Sequence, residues 1–322
     1  MRRVLLVGFC VAWLGACGLA PARDEVPSLG LADHPLVDKI WDVRGQRFID
    51  RAQLARRLLQ SDYVLLGETH DNISHHRHEA WVLDTLAAGG RSAAVAFEMI
   101  DATQGELLAD KRFTSTDALI QLLDHVRTTW DYDRQYRPVF DSALRAGFRI
   151  VPASLDRQAI SGIIRNGAQQ IPPPLKARMD AHPLDKAQLD SLRGEVEVSH
   201  CGMLNPKMVS AMMLTQRVKD AGMAQRLVAQ TGVASRVLVA GSGHVRTDRG
   251  VPLYLPPQAG AGTVLAVAWL EVAADVDTVQ AYTRYWGDER LPFDYVWFTP
   301  RVERADPCES LRRHMHNKEV GS

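Results

Sequence analysis

The chain has 322 residues, with 38 basic and 38 acidic side chains and a formal net charge of zero. That balance excludes nucleic acid as a partner, because its phosphates call for a basic face. No internal repeat is present, and the length beyond residue 30 suffices for one large α/β domain or a domain carrying an inserted lobe.

At the N-terminus, Arg2 and Arg3 precede an apolar run over 4–16, too short for a spanning helix of roughly 20 residues. Leu14-Gly15-Ala16-Cys17 resembles a lipobox, so 1–16 reads as a signal peptide and Cys17 as a lipidated N-terminus that anchors the protein to a membrane. Removal of Arg2 and Arg3 leaves 36 basic against 38 acidic residues. Gly18 follows the anchor where an aspartate would favour inner-membrane retention, which points to the periplasmic face of the outer membrane. Pro21, Pro27 and Ser28 make 17–30 a tether. With Cys10 removed and Cys17 lipidated, Cys201 and Cys308 remain as thiols in an oxidising compartment, either paired or free.

Six short apolar runs, 62–66, 93–97, 149–152, 236–240, 264–270 and 295–298, predict strands. Helical patterns over 74–88, 134–146 and 206–229 alternate with the first four, so the fold class is α/β, a mostly parallel central sheet flanked by helices. The stretch 159–202 has three consecutive prolines, 172–174, and no strand pattern, and reads as an inserted helical lobe. The α/β domain thus runs over 31–300, and 301–322 is a charged tail.

Four strand ends finish in polar groups: Glu68 and His70, Glu98, Ser154 and Asp156, and His244. In parallel sheets the carboxyl ends of strands open on one crevice, so Glu68, His70, Glu98 and His244 are expected to converge. Two imidazoles and two carboxylates suit either a divalent metal or acid–base chemistry. The helix over 74–88 adds His75, His76, His78 and Glu79; a solvated polar face accounts for most of them. Segment 130–138 brings Tyr132 and Tyr136 together with Arg134 and Arg137. A phenolate is a hard donor for ferric iron, and arginines pair with propionates, so one of these tyrosines is a candidate haem ligand.

The ordered set Gly67-Glu68-Thr69-His70-Asp71-Asn72, His75-His76, Phe97-Glu98-Met99, 130–138, Gln216-Arg217-Val218-Lys219-Asp220 and Gly241-Ser242-Gly243-His244 resembles the ChaN haem-binding lipoproteins, relatives of the Tiki metalloproteases and erythromycin esterases. The resemblance implies an exported lipoprotein of haem or iron uptake that binds ferric haem through a tyrosinate, with Tyr136 the better match than Tyr132. It also implies homodimers that hold haems face to face and an uptake partner or haem receptor. By the Tiki branch it implies metal or catalysis at Glu68, His70, Glu98 and His244, to which His76 is added. Ala153-Ser154-Leu155 stands where that pattern has an asparagine. A metal-dependent hydrolase and a non-catalytic scaffold lipoprotein are the alternatives to haem binding.

Overall fold

The computed structural model describes residues 28–312 apart from 110, 127, 257–262, 287, 288, 305, 307, 310 and 311. The signal peptide, the lipidation site at Cys17 and the end of the tail lie outside the described residues.

In chain order the strands are β1 (Leu29–Gly30), β2 (Ile40–Asp42), β3 (Arg47–Ile49), β4 (Tyr63–Glu68), β5 (Ala93–Asp101), β6 (Arg149–Ser154), β7 (Ser235–Gly241), β8 (Val264–Glu271), β9 (Tyr295–Thr299) and β10 (Arg301–Val302). Eight of them form one sheet in the order β3-β2-β9-β8-β4-β7-β5-β6, and β1 pairs with β10. All contacts from β9 to β6 are parallel, and only the β2–β3 edge is antiparallel. The α/β class with a largely parallel sheet is therefore what the chain adopts. Each of the six apolar runs falls on a strand, with Asp62 alone lying outside one. The β2–β3 hairpin is additional: it is short, and Phe48 on it is an exposed hydrophobic, so it carries little of the apolar signal that marks a strand.

The helices are α1 (Arg51–Leu59), α2 (Ile73–Ala88), α3 (Ala102–Leu108), α4 (Thr116–Leu123), α5 (Arg137–Arg145), α6 (Arg157–Asn166), α7 (Pro173–Ala181), α8 (Lys186–Ser199) and α9 (Pro206–Val228). A π turn, Tyr132–Tyr136, leads directly into α5. Helices α6 to α8 occupy the stretch between β6 and α9, so inserted helical segments are part of the fold. Among the described residues, no helix is long and apolar enough to cross a membrane.

Side chains alternate across the sheet and build two cores. Val64 and Leu66 of β4 pack with α1, α2 and α5 through Leu54, Val82, Leu83 and Phe140. Leu65 faces the other way, towards Val218, Ala221 and Ala224 of α9. The same alternation on β5 sends Val95 and Phe97 to the first layer, and Ala94 and Ala96 to the second. After β4 the chain moves outward to β5 and β6, returns to place β7 between β4 and β5, then crosses β4 to form β8. Such a switch point opens a crevice at the carboxyl ends of the strands.

Candidate functional site

The alternation decides where each strand-end carboxylate points. Glu68 continues the Val64, Leu66 phase, and its side chain meets residues of α2 and the π turn. Glu98 continues the Ala94, Ala96 phase and meets α9 and the β7 end. The polar constellation therefore has two halves, one on each face of the sheet. His70, just past β4, joins them: Nδ1 lies 2.7 Å from Glu68 Oε1 and Nε2 lies 3.9 Å from Glu98 Oε2. Glycine at 241 makes this possible, since a Cβ there would come within 3.0 Å of His70 Nε2.

On the α2 side everything is buried. Tyr136 donates its hydroxyl to Glu68 Oε1 at 2.7 Å, and its ring lies against the His76 imidazole with centroids 4.5 Å apart. His76 and Glu79, spaced i, i+3 on α2, point at Glu68, and one ligand atom from each of the three lies within 4.8 Å of the others. Burial disfavours the charge on Glu68, but His76 and His70 outweigh it and hold the carboxyl well below its ordinary pKa. Glu79 is pushed well above its ordinary pKa by burial and by the Glu68 charge.

The expectation of a solvated face for this histidine-rich helix is corrected, because His75, His76 and Glu79 are fully buried. His75 accepts from the Thr69 amide through Nδ1 and meets the Thr299 hydroxyl through Nε2, both at 2.8 Å. Burial keeps it neutral, with its pKa well below the ordinary value. His78 stacks on Trp297 at 4.1 Å and is lowered to about 4, chiefly by burial.

On the α9 side, Lys219 donates to Glu98 Oε1 at 2.5 Å, and the Gly241 amide donates to Oε2 at 3.0 Å. His244 stands between two carboxylates, with Nδ1 at 2.5 Å from Asp220 and Nε2 at 3.2 Å from Glu98. Burial opposes its charge, but the two carboxylates win and raise it to about 9, so it is an imidazolium at neutral pH. Burial likewise opposes the Glu98 charge, yet His244 and Lys219 hold that carboxyl well below its usual range. A cavity of about 530 Å³ opens here, lined by Glu98, Lys219, Gln216 and Trp130 and, on its apolar side, by Ile160 and Leu192 of the inserted helices. His70 does not line it directly; it adjoins the cavity through Glu98 and through the Trp130 ring, whose centroid is 4.9 Å from its own.

Glu68, His70, Glu98 and His244 thus come together. His76 joins only the Glu68 half. Three further members went unassigned from sequence: Glu79, signalled by its i, i+3 spacing from His76, and Lys219 and Asp220, whose neighbouring positions on α9 reach Glu98 and His244. Ser154 lines the cavity, whereas Asp156 accepts from the Ala159 amide as the cap of α6.

Tyr132 and Tyr136, the candidate haem ligands, both lie in the core. Tyr132 is 1% exposed and donates to the Met99 carbonyl at 2.7 Å. Tyr136 is 0% exposed, and burial followed by the Glu68 charge pushes its phenol well above its ordinary value of 10. Their arginine neighbours face outward: Arg137 pairs with Asp117 at 2.7 Å and Asp133 at 2.5 Å, and Arg134 lies 3.8 Å from Asp131. Cys201 and Cys308 form a disulfide, Cα atoms 5.6 Å apart.

A family model described as haem-binding uptake, Tiki superfamily, ChaN, matches residues 54–255. Among solved structures, the chain is similar to ChaN of Campylobacter jejuni, described as binding haem cofacially, at 22% identity and a TM-score of 0.60 over 80% of this chain and 95% of that one. It is also similar to an erythromycin esterase mutant in its open conformation, at 11% identity and a TM-score of 0.46 over 84% and 99% of the two chains. A Bacillus cereus protein aligns at 12% identity and a TM-score of 0.34 over 78% and 92%. Likeness at these identities concerns the fold alone. No curated protein matches the sequence.

Proposed function

Since the chain belongs to the ChaN family of haem-binding uptake proteins in the Tiki superfamily, we propose that its cleft performs acid–base hydrolysis, with His70 as the base. The observation that carries this reading is the Glu68–His70 pair beside a cavity of about 530 Å³. Glu68 accepts the hydrogen bond from Nδ1–H and fixes the tautomer, which leaves Nε2, on a side chain 34% exposed, to accept a proton from water. The hydroxide so formed would add to an acyl carbon, and the same proton would pass from Nε2 to the departing group. Lys219 and the His244 imidazolium set two positive charges around Glu98, the arrangement that favours negative charge developing on a substrate oxygen. The apolar wall from the inserted helices favours an acyl substrate with a hydrophobic part.

The test is hydrolysis of a panel of p-nitrophenyl esters by wild type and His70→Ala. The substitution should lower kcat/KM about 10²-fold or more; equal rates in both would remove the reading.

Haem binding in uptake is the second reading, and the family's description favours it. Under it Tyr136, or else Tyr132, is the iron ligand that the resemblance implies, so Tyr136→Phe and Tyr132→Phe, singly and together, should weaken a ferric-haem titration, and an unchanged titration would remove that assignment. Lipidation at Cys17, outer-membrane placement, haem-bridged homodimers and an uptake partner belong to the same proposal, as does a scaffold role should neither haem nor ester engage the protein. The Cys201–Cys308 disulfide supports an oxidising compartment.

A further inference from the structure

We propose that Glu68, His76 and Glu79 hold one divalent first-row cation behind the cleft, on the α2 face of the sheet. All three side chains are buried, at 2%, 0% and 0% exposure. Among the described residues, Glu68 Oε2, both ring nitrogens of His76 and both carboxylate oxygens of Glu79 make no hydrogen bond. Buried polar atoms are nearly always partnered, and one ligand atom from each of the three residues lies within 4.8 Å of the others, so the cluster calls for a partner of its own.

Their geometry describes it. His76 Nε2 lies 2.9 Å from Glu68 Oε2, yet the two are not aligned as donor and acceptor. Two ligands held ~2.1 Å from one ion at a right angle stand about 3 Å apart, which is the spacing of converging ligands. One nitrogen and two carboxylate oxygens suit zinc, manganese or ferrous iron. Charge agrees: a dication would offset the two carboxylates that Glu68 and Glu79 bring together, and no lysine or arginine forms an ion pair with Glu79 among the described residues. A proton shared between Glu79 and Glu68 would satisfy that pair alone and leave His76 unpartnered.

The site differs from the cleft set, since Glu98, Lys219 and His244 lie on the opposite face of the sheet. Glu68 lies in the α2 half, and His70 links it to Glu98 in the other. A cation on Oε2 leaves Oε1 for His70 and Tyr136, so the metal would position the carboxylate that orients His70. The proposal does not depend on hydrolysis taking place.

The experiment loads the chelator-stripped protein with zinc or manganese chloride, removes free metal, and measures bound metal by mass spectrometry and the melting temperature. The wild type should retain one equivalent and melt higher. Glu79→Gln and His76→Ala should bind at least tenfold more weakly, whereas Glu98→Gln and His244→Gln should retain the metal. Wild type without bound metal, or Glu79→Gln binding as well as wild type, would overturn the proposal. If circular dichroism shows Glu79→Gln and His76→Ala unfolded, the cleft variants decide, because a cation held by Glu98 and His244 is lost from both.

Discussion

His244 shows how burial and charge together set what a single side chain can do. Burial alone would strip its proton; Glu98 and Asp220 reverse that and raise it to about 9. A histidine with a raised folded-state pKa stabilises the protein fully below its ordinary value of 6.5, and the contribution fades as pH rises through about 9. Thermal unfolding should therefore show a loss of stability between those two pH values that is smaller in His244→Gln. Tyr136 makes a different kind of contribution. Its hydroxyl donates to a buried carboxylate, and Tyr136→Phe should cost about 1.5–3 kcal/mol in urea unfolding.

Much of this scale was legible in advance. Glu68, His70, Glu98 and His244 each follow an apolar run, and the parallel-sheet rule brings strand ends together. Which face each carboxylate takes, and hence which partners it meets, depends on packing that no local pattern encodes. The tyrosines are the clearest case: they stand beside arginines in sequence, and the π turn carries both rings into the core.

At the scale of elements, the crossing of the chain at β4 produces the cleft, and glycine keeps it open. Gly67 tolerates no side chain, because a Cβ would fall 2.3 Å from Val245 Cγ2 and 3.1 Å from the Ser242 backbone. Gly241 is more informative, since the nearest atoms its Cβ would meet belong to the His70 ring and Glu98. Gly241→Ala should displace His70, lowering turnover at least tenfold while shifting the melting temperature little; a large unfolding effect with normal turnover would contradict that account. The six parallel strands and α9 were legible because each is long and apolar in the right period. The β2–β3 hairpin was not, because strands of three residues are too short to show a period.

For the whole molecule, the disulfide ties the turn after α8 to the C-terminal tail across 107 residues. Arg304 reinforces the tie through Asp71, just beyond the β4 end, and Glu271. Closing so long a loop restricts the unfolded chain, and Cys308→Ser should cost roughly 2–4 kcal/mol in chemical unfolding. The tail therefore helps hold the floor of the cleft region, which its charged composition alone does not reveal.

The central claim, that Glu68 orients and charges His70 as the base, is tested most directly by the pH dependence of ester hydrolysis in wild type and Glu68→Gln. Burial lowers the His70 pKa, but hydrogen bonding and charge from Glu68 more than offset it, so the folded value lies above 6.5. The acid limb of kcat/KM should have its midpoint above 6.5 in the wild type, where the base becomes free, and Glu68→Gln should move that limb to lower pH while reducing the plateau. An acid limb that stays in place when the carboxylate is removed would contradict the account.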